Sequence, residues 1–300
     1  MDGFDRRVFL NMGLGGLGAA LVPRALVAED RQKTLAQAGA SVGLDIGSAI
    51  RPFPRPEVAE IIRRECTLVT PENALKPGAI SPAQGYWNFS GAEKTRDFAR
   101  ENGLKMHGHT LFWHQNAADW LERRSAGKSL ADVSAIYADY MQEVVAHFPD
   151  IVSWDVFNEI IEQDRRLRDT YPISPFGVDF IERCLRAVRA AAPHAKLVIN
   201  EYNLECAGNW CATKRRNALS VLRELRDRDA PIDAIGIQGH LHSRWKPSAA
   251  KTLAFIRSAE EMGLEVYLSE MDVNDVDMPK DIARRDRQVS RYYEDFLGRV

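Results

Sequence analysis

Short apolar runs rich in β-branched residues recur along the chain, and each from the second onward carries polar or ionisable side chains toward its end. They are 41–50 (SVGLDIGSAI), 66–76 (CTLVTPENALK), 104–115 (LKMHGHTLFWHQ), 151–161 (IVSWDVFNEII), 196–205 (KLVINEYNLE), 234–242 (AIGIQGHLH) and 265–274 (EVYLSEMDVN). Between them lie longer stretches with apolar residues at helical spacing, such as PEVAEIIRREC and FGVDFIERCLRAVRAAAPHA. Nearly continuous apolar strands alternating with helices imply a parallel sheet covered by helices on both faces. The repeat of ~30–50 residues points to a (β/α)8 barrel rather than a doubly wound sheet. No G-x-G-x-x-G follows the first strand, which removes the main sign of a dinucleotide site.

The same spacing puts an eighth strand at or beyond residue 300. The expected fold is therefore a TIM (β/α)8 barrel truncated after its seventh β/α unit, with the catalytic barrel in residues 29–300. An open barrel edge leaves unpaired backbone groups and should weaken the fold there.

Residues 1–28 differ in character. Arg6 and Arg7 precede Val8, Phe9 and Leu10, and a Gly- and Ala-rich, weakly apolar stretch runs to a small-residue end near Ala28. This is the layout of an export signal of twin-arginine type, too short and too rich in glycine to span a bilayer. A periplasmic or extracellular location follows, with no membrane contact after cleavage. There Cys206 and Cys211 can close a small disulfide loop, whereas Cys66 and Cys184 read as buried single thiols. The net charge of −2, with acidic residues near most of the arginine pairs, argues against nucleic acid as a partner. A monomer is expected.

Barrel active sites form at the C-terminal ends of the strands. Read there, the constellation is Glu72, Asn73 and Lys76; His109, Trp113 and His114; Asn158 and Glu159; Glu201 and Asn203; Gln238 and His240; Glu270 and Asp272. Two carboxyls in a site lined with Trp, Asn, Gln and His suit cleavage of a glycosidic bond. One is protonated to release the leaving oxygen, and the other is ionised to attack the anomeric carbon or activate water. The apolar surroundings of Glu159 should raise its pKa and fit it for the acid role; His240 and the polar groups near SEMD should keep Glu270 ionised. Trp113 can stack on a sugar face. Lys76, Asn73 and Gln238 can bond hydroxyls, and Asn158 can hold the hydroxyl beside the anomeric carbon. None of this needs a cofactor.

The stretches TPENALKPG, HGHTLFWHQ, WDVFNEI, VINEYN, IQGHLH and LSEMDVND together resemble glycoside hydrolase family 10, the endo-β-1,4-xylanases, in order, spacing and strand position over roughly residues 35–300. The resemblance implies a retaining double displacement on xylan, a β-1,4-linked xylose polymer. It gives Glu159 the acid/base role and Glu270 the nucleophile role, with His240 and Asp272 orienting the nucleophile. Glu72, Asn73, Lys76, His109, Trp113, Asn158 and Gln238 match sugar-binding positions. The chain departs from the family in having Glu201 where Asp is more usual, and in lacking the proline often found before Trp120, which is then left to helix packing.

Plainer readings stand beside these. Glu72 and Lys76 can bridge each other structurally. The His107/His109 pair, with His240/His242 as a second H-x-H, can hold zinc in a metal-dependent barrel hydrolase, although Glu159 and Glu270 then lack a joint task. A non-catalytic carbohydrate-binding barrel fragment is the third possibility. In the main reading, His107 and His242 are hydrogen-bonded scaffold residues.

Overall fold

The structure is a computed structural model that describes residues 33–242 and 247–300; the expected export signal lies outside the described residues. Nine strands follow in chain order: β1 (Gly47–Ile50), β2 (Leu68–Pro71), β3 (Lys105–His109), β4 (Ser153–Asn158), β5 (Lys196–Glu201), β6 (Ala234–Ile237), β7 (His240–His242), β8 (Glu265–Leu268) and β9 (Asp272–Asn274). A curled, wholly parallel sheet runs β1-β2-β3-β4-β5-β6-β8, and β7 pairs separately with β9. Long helices alternate with these strands, as in a TIM barrel after seven β/α units.

The apolar runs explain where the core sits. Every residue of β4 and β6 is buried, and β5 is buried from its second residue onward. Helices Leu130–His147 and Ile173–Ala191 cover this part, turning in Val133, Tyr140, Met141 and Val144 from one and Phe180, Ile181, Leu185 and Val188 from the other. Strands β1 and β8, each bonded to one neighbour within the seven-stranded sheet, are more exposed.

Three expectations need correction. The run 234–242 is not one strand, because Gly239 adopts φ +74, a left-handed conformation that ends β6 and starts β7 in a new direction. The run 265–274 also divides, into β8 and β9. The resulting β7–β9 pair sets His240 opposite Asp272. Cys184 is buried as expected, whereas Cys66 is partly exposed, since it sits at the end of the helix Pro56–Glu65 before β2 begins.

A register shift in β4 also matters for the site. In a regular strand, residues three apart face opposite sides. The β4–β5 pairing shifts between Asp155 and Phe157, so Asp155 and Asn158 both reach the polar groups inside the sheet's curl.

Candidate active site

Glu159 follows the last residue of β4. Its backbone has φ +59, unusual for a side chain with a Cβ, and its N–H donates to the Asn200 carbonyl at 2.9 Å. The residue is 9% exposed. Its Oε1 accepts from Gln238 Nε2 at 3.3 Å and from Asn158 Nδ2 at 3.4 Å.

Glu270 lies two residues beyond β8, its N–H donating to the Gln238 carbonyl at 3.1 Å. Its Oε1 accepts from Asn200 Nδ2 at 2.6 Å, and its Oε2 lies 3.6 Å from His240 Nε2. Three amides join the two carboxyls. Asn158 Oδ1 accepts from Asn200 Nδ2 at 3.0 Å and from Gln238 Nε2 at 3.2 Å, so each donor also serves one of the glutamates. Asn200 fits because residue 236, its partner on β6, is glycine: a Cβ there would stand 2.2 Å from Asn200 Oδ1.

His240 Nδ1 is 3.0 Å from Asp272 Oδ1. Its hydrogen bonds to Asp272 and Glu270 raise its pKa to about 10, so the ring carries a positive charge beside Glu270 at neutral pH.

On the other side of Glu270, His109 Nδ1 lies 4.0 Å from Oε1 and 2.8 Å from Asp155 Oδ2. Burial alone would raise Asp155, yet His107 and His109, both within 3.0 Å, hold it down at about 2. Burial by itself would lower His109, but its contacts with Asp155 leave it raised. His107 Nδ1 reaches Ser153 Oγ at 2.7 Å. The H-x-H pair is thus turned onto Asp155 and Ser153, and among the described residues no three His, Cys, Asp or Glu side chains are arranged to hold a metal ion.

The remaining expected sugar-binding residues sit after β2 and β3. Lys76 Nζ makes no ion pair with Glu72: it donates to Asn73 Oδ1 at 2.8 Å and lies 4.8 Å from the Trp113 ring centroid. Glu72 pairs instead with Arg51, 2.8 Å away, and is lowered by that hydrogen bond. The structural bridge between Glu72 and Lys76 therefore does not form. The Trp113 backbone bridges to Asn158, tying this group to β4. Trp120 is buried and donates to the Ser81 carbonyl at 3.1 Å, a packing role as expected. Cys206 and Cys211 are disulfide-bonded.

Three groups in the site escaped the sequence reading. Asn200 and Asp155 sit inside apolar strand runs, where a polar residue is itself a signal of a buried partner. Lys214, fully buried, pairs with the equally buried Glu201 at 2.8 Å. Burial raises the Glu201 carboxyl, and Lys214 opposes that rise.

Comparison with known proteins gives a consistent picture. The family model of Glycosyl hydrolase family 10 matches residues 33–299. An endo-1,4-beta-xylanase A of Halalkalibacterium halodurans is 30% identical over 248 residues, covering 77% of this chain and 61% of that protein. An endo-1,4-beta-xylanase B of Thermotoga neapolitana is 31% identical over 278 residues, covering 91% of this chain and 75% of that one. The chain thus spans less than two thirds of the first relative and three quarters of the second. Among solved structures, xylanase B from Clostridium stercorarium F9 superposes with a TM-score of 0.78 at 26% identity, covering 89% of this chain and 84% of the other.

Proposed function

The chain belongs to glycosyl hydrolase family 10, and from that premise we propose that it is an endo-β-1,4-xylanase, cleaving internal xylosidic bonds of xylan by a retaining double displacement. In the first step an oxygen of Glu270 forms a bond to the anomeric carbon, the glycosidic C–O bond breaks, and the leaving oxygen takes the proton of Glu159. In the second, Glu159 removes a proton from water, the water oxygen bonds to the anomeric carbon, and the Glu270 carboxylate leaves. Two inversions restore the starting configuration.

The observation that carries this reading is the amide chain Gln238–Asn158–Asn200, which ties Glu159 and Glu270 into one site. The two carboxyls sit in contrasting surroundings. Glu159 is nearly enclosed, and among the described residues its carboxyl is bonded to two amides, as suits a proton donor. Glu270 has a charged imidazolium at 3.6 Å, as suits an attacking carboxylate. His109, Asn158 and Gln238 line the sugar bound at the reacting carbon, and Glu72, Asn73, Lys76 and Trp113 extend the binding surface.

Residues 1–28 act in this proposal as an export signal of twin-arginine type. The Cys206–Cys211 disulfide accords with an oxidising compartment. Among the described residues no helix is long and apolar enough to cross a membrane.

The test compares two variants on two substrates. Glu159→Ala should retain bond cleavage on an aryl xylobioside with a good leaving group while losing about 10²–10⁴-fold on xylan; Glu270→Ala should lose both. Equal losses by both variants on both substrates would refute the division of roles. Xylan binding without product by the folded wild type would favour a non-catalytic barrel.

A further inference from the structure

Lys214 lies in the helix Asn209–Asp227, where a lysine ordinarily faces solvent, yet it is 0% exposed. Taking a lysine and a glutamate wholly out of water is costly for each ion, and a packed apolar pair often stabilises as well or better. What this pair touches is therefore informative.

Glu201 presents one oxygen to Lys214 at 2.8 Å and the other to the Ile161 N–H at 2.8 Å. Lys214 Nζ also sits 3.2 Å from the centroid of the Tyr202 ring. The Tyr202 hydroxyl accepts from Arg168 Nη2 at 2.7 Å, and Arg168 Nε donates to the Glu159 carbonyl at 2.6 Å. Arg168 further pairs with Glu162 at 2.6 Å, and its backbone N–H donates to the Ile160 carbonyl at 2.8 Å. Lys214 thus stands where two chains of contacts begin, and both end on the backbone of residues 159–161.

That segment needs holding. Glu159 is in the left-handed region, which is costly for a residue with a Cβ and persists only where its surroundings fix it. The turn aims the Glu159 side chain at Gln238 and Asn158.

We propose that Lys214 is a positioning residue for the acid/base carboxyl of Glu159, acting through Glu201 on one side and through Tyr202 and Arg168 on the other. This rests on the acid/base reading of Glu159. Without Lys214, Glu201 is left buried with no counter-charge and must take up a proton or turn away. In either case the Ile161 N–H loses its charged acceptor, its hydrogen bond weakens or breaks, and the turn that aims Glu159 loosens. Protonation of the leaving group suffers, while attack by Glu270 does not.

The experiment measures kcat/KM on two xylobiosides, one with a good aryl leaving group and one with a poor alkyl leaving group. It uses wild type, Glu159→Gln, Lys214→Met and the double variant Lys214→Met/Glu201→Gln. Lys214→Met should lose about 10–100-fold on the poor leaving group and about threefold or less on the good one. The double variant restores a neutral, matched pair and keeps an acceptor for Ile161, so it should recover most of the loss, and it serves if the single variant does not fold. Equal losses of Lys214→Met on both substrates, or a folded double variant that stays as selective as Glu159→Gln, would overturn the proposal. A Glu159→Gln variant without leaving-group selectivity would instead overturn the acid/base reading beneath it.

Discussion

The two carboxyls of the site stand on strands of one sheet but are held by different means. Glu159 extends β4, which is paired on both sides by β3 and β5 and buried along its whole length; behind it lie buried charges, Glu201 with Lys214 and Asp155 with two histidines. Glu270 follows β8, which among the described residues pairs with β6 alone, and its side chain is 32% exposed. It is placed by individual hydrogen bonds and charges from Asn200 and His240, with His240 held in turn by Asp272. A packed half gives a carboxyl a dry environment and a fixed direction, which general acid catalysis requires. A half built from a few polar contacts leaves room for a carboxylate to form and lose a covalent bond to sugar. Substitutions in the packed half should therefore cost stability together with rate, and those in the polar half mainly rate.

The largest effect should separate the halves outright. Glu270→Gln is expected to lose about 10⁴-fold or more in kcat with a nearly unchanged Tm; a drop in Tm of tens of degrees would mean that the outer half is structural too. Asp155→Asn should show the opposite signature. It takes from two buried histidines the carboxylate they both contact and should cost about 3 kcal/mol of stability, read as a lower urea midpoint at constant m-value. Unchanged stability would erase the contrast.

Gly236→Ala sharpens it, since the added methyl group would meet Asn200 Oδ1, and Asn200 serves both halves. An intermediate loss of about tenfold or more in kcat is expected, with about 1–3 kcal/mol of destabilisation from overpacking. The smallest effect is a pH dependence. The folded chain keeps His240 protonated to about pH 10, against an ordinary value of 6.5. Its pairing then contributes fully below pH 6.5 and is lost as pH rises to about 10. In His240→Asn, thermal unfolding measured from pH 6 to 10 should show a flatter decline than in wild type.

Much of this was readable from the sequence where local pattern and long-range role agree. The runs 151–161 and 196–205 are apolar, β-branched and polar-ended, and they became β4 and β5 with Asn158, Glu159 and Glu201 at their ends. The breaks in 234–242 and 265–274 were hidden, because IQGHLH alternates well enough to pass for a continuing strand and only the backbone of Gly239 shows the turn. Asn200 was hidden by position: its partners Asn158 and Glu270 are 42 and 70 residues away and meet it only when the sheet curls. Lys214 was hidden by type, since nothing local distinguishes a helical lysine facing a buried glutamate from one facing water. The Glu72–Lys76 bridge failed for the same reason, as Arg51 reaches Glu72 from another strand end.

The most direct test of the central claim is intact-mass and peptide-mass analysis of the chain after reaction with a 2-deoxy-2-fluoro-β-xylobioside carrying an activated leaving group. The fluorine slows both steps and the leaving group restores the first, so a retaining enzyme accumulates its glycosyl intermediate. One fluoroxylobiosyl unit per chain, mapped to Glu270 and formed alongside one equivalent of released leaving group, is the predicted result. An adduct on Glu159, or release of the leaving group from natural and fluorinated substrates with no adduct at any time, would contradict it.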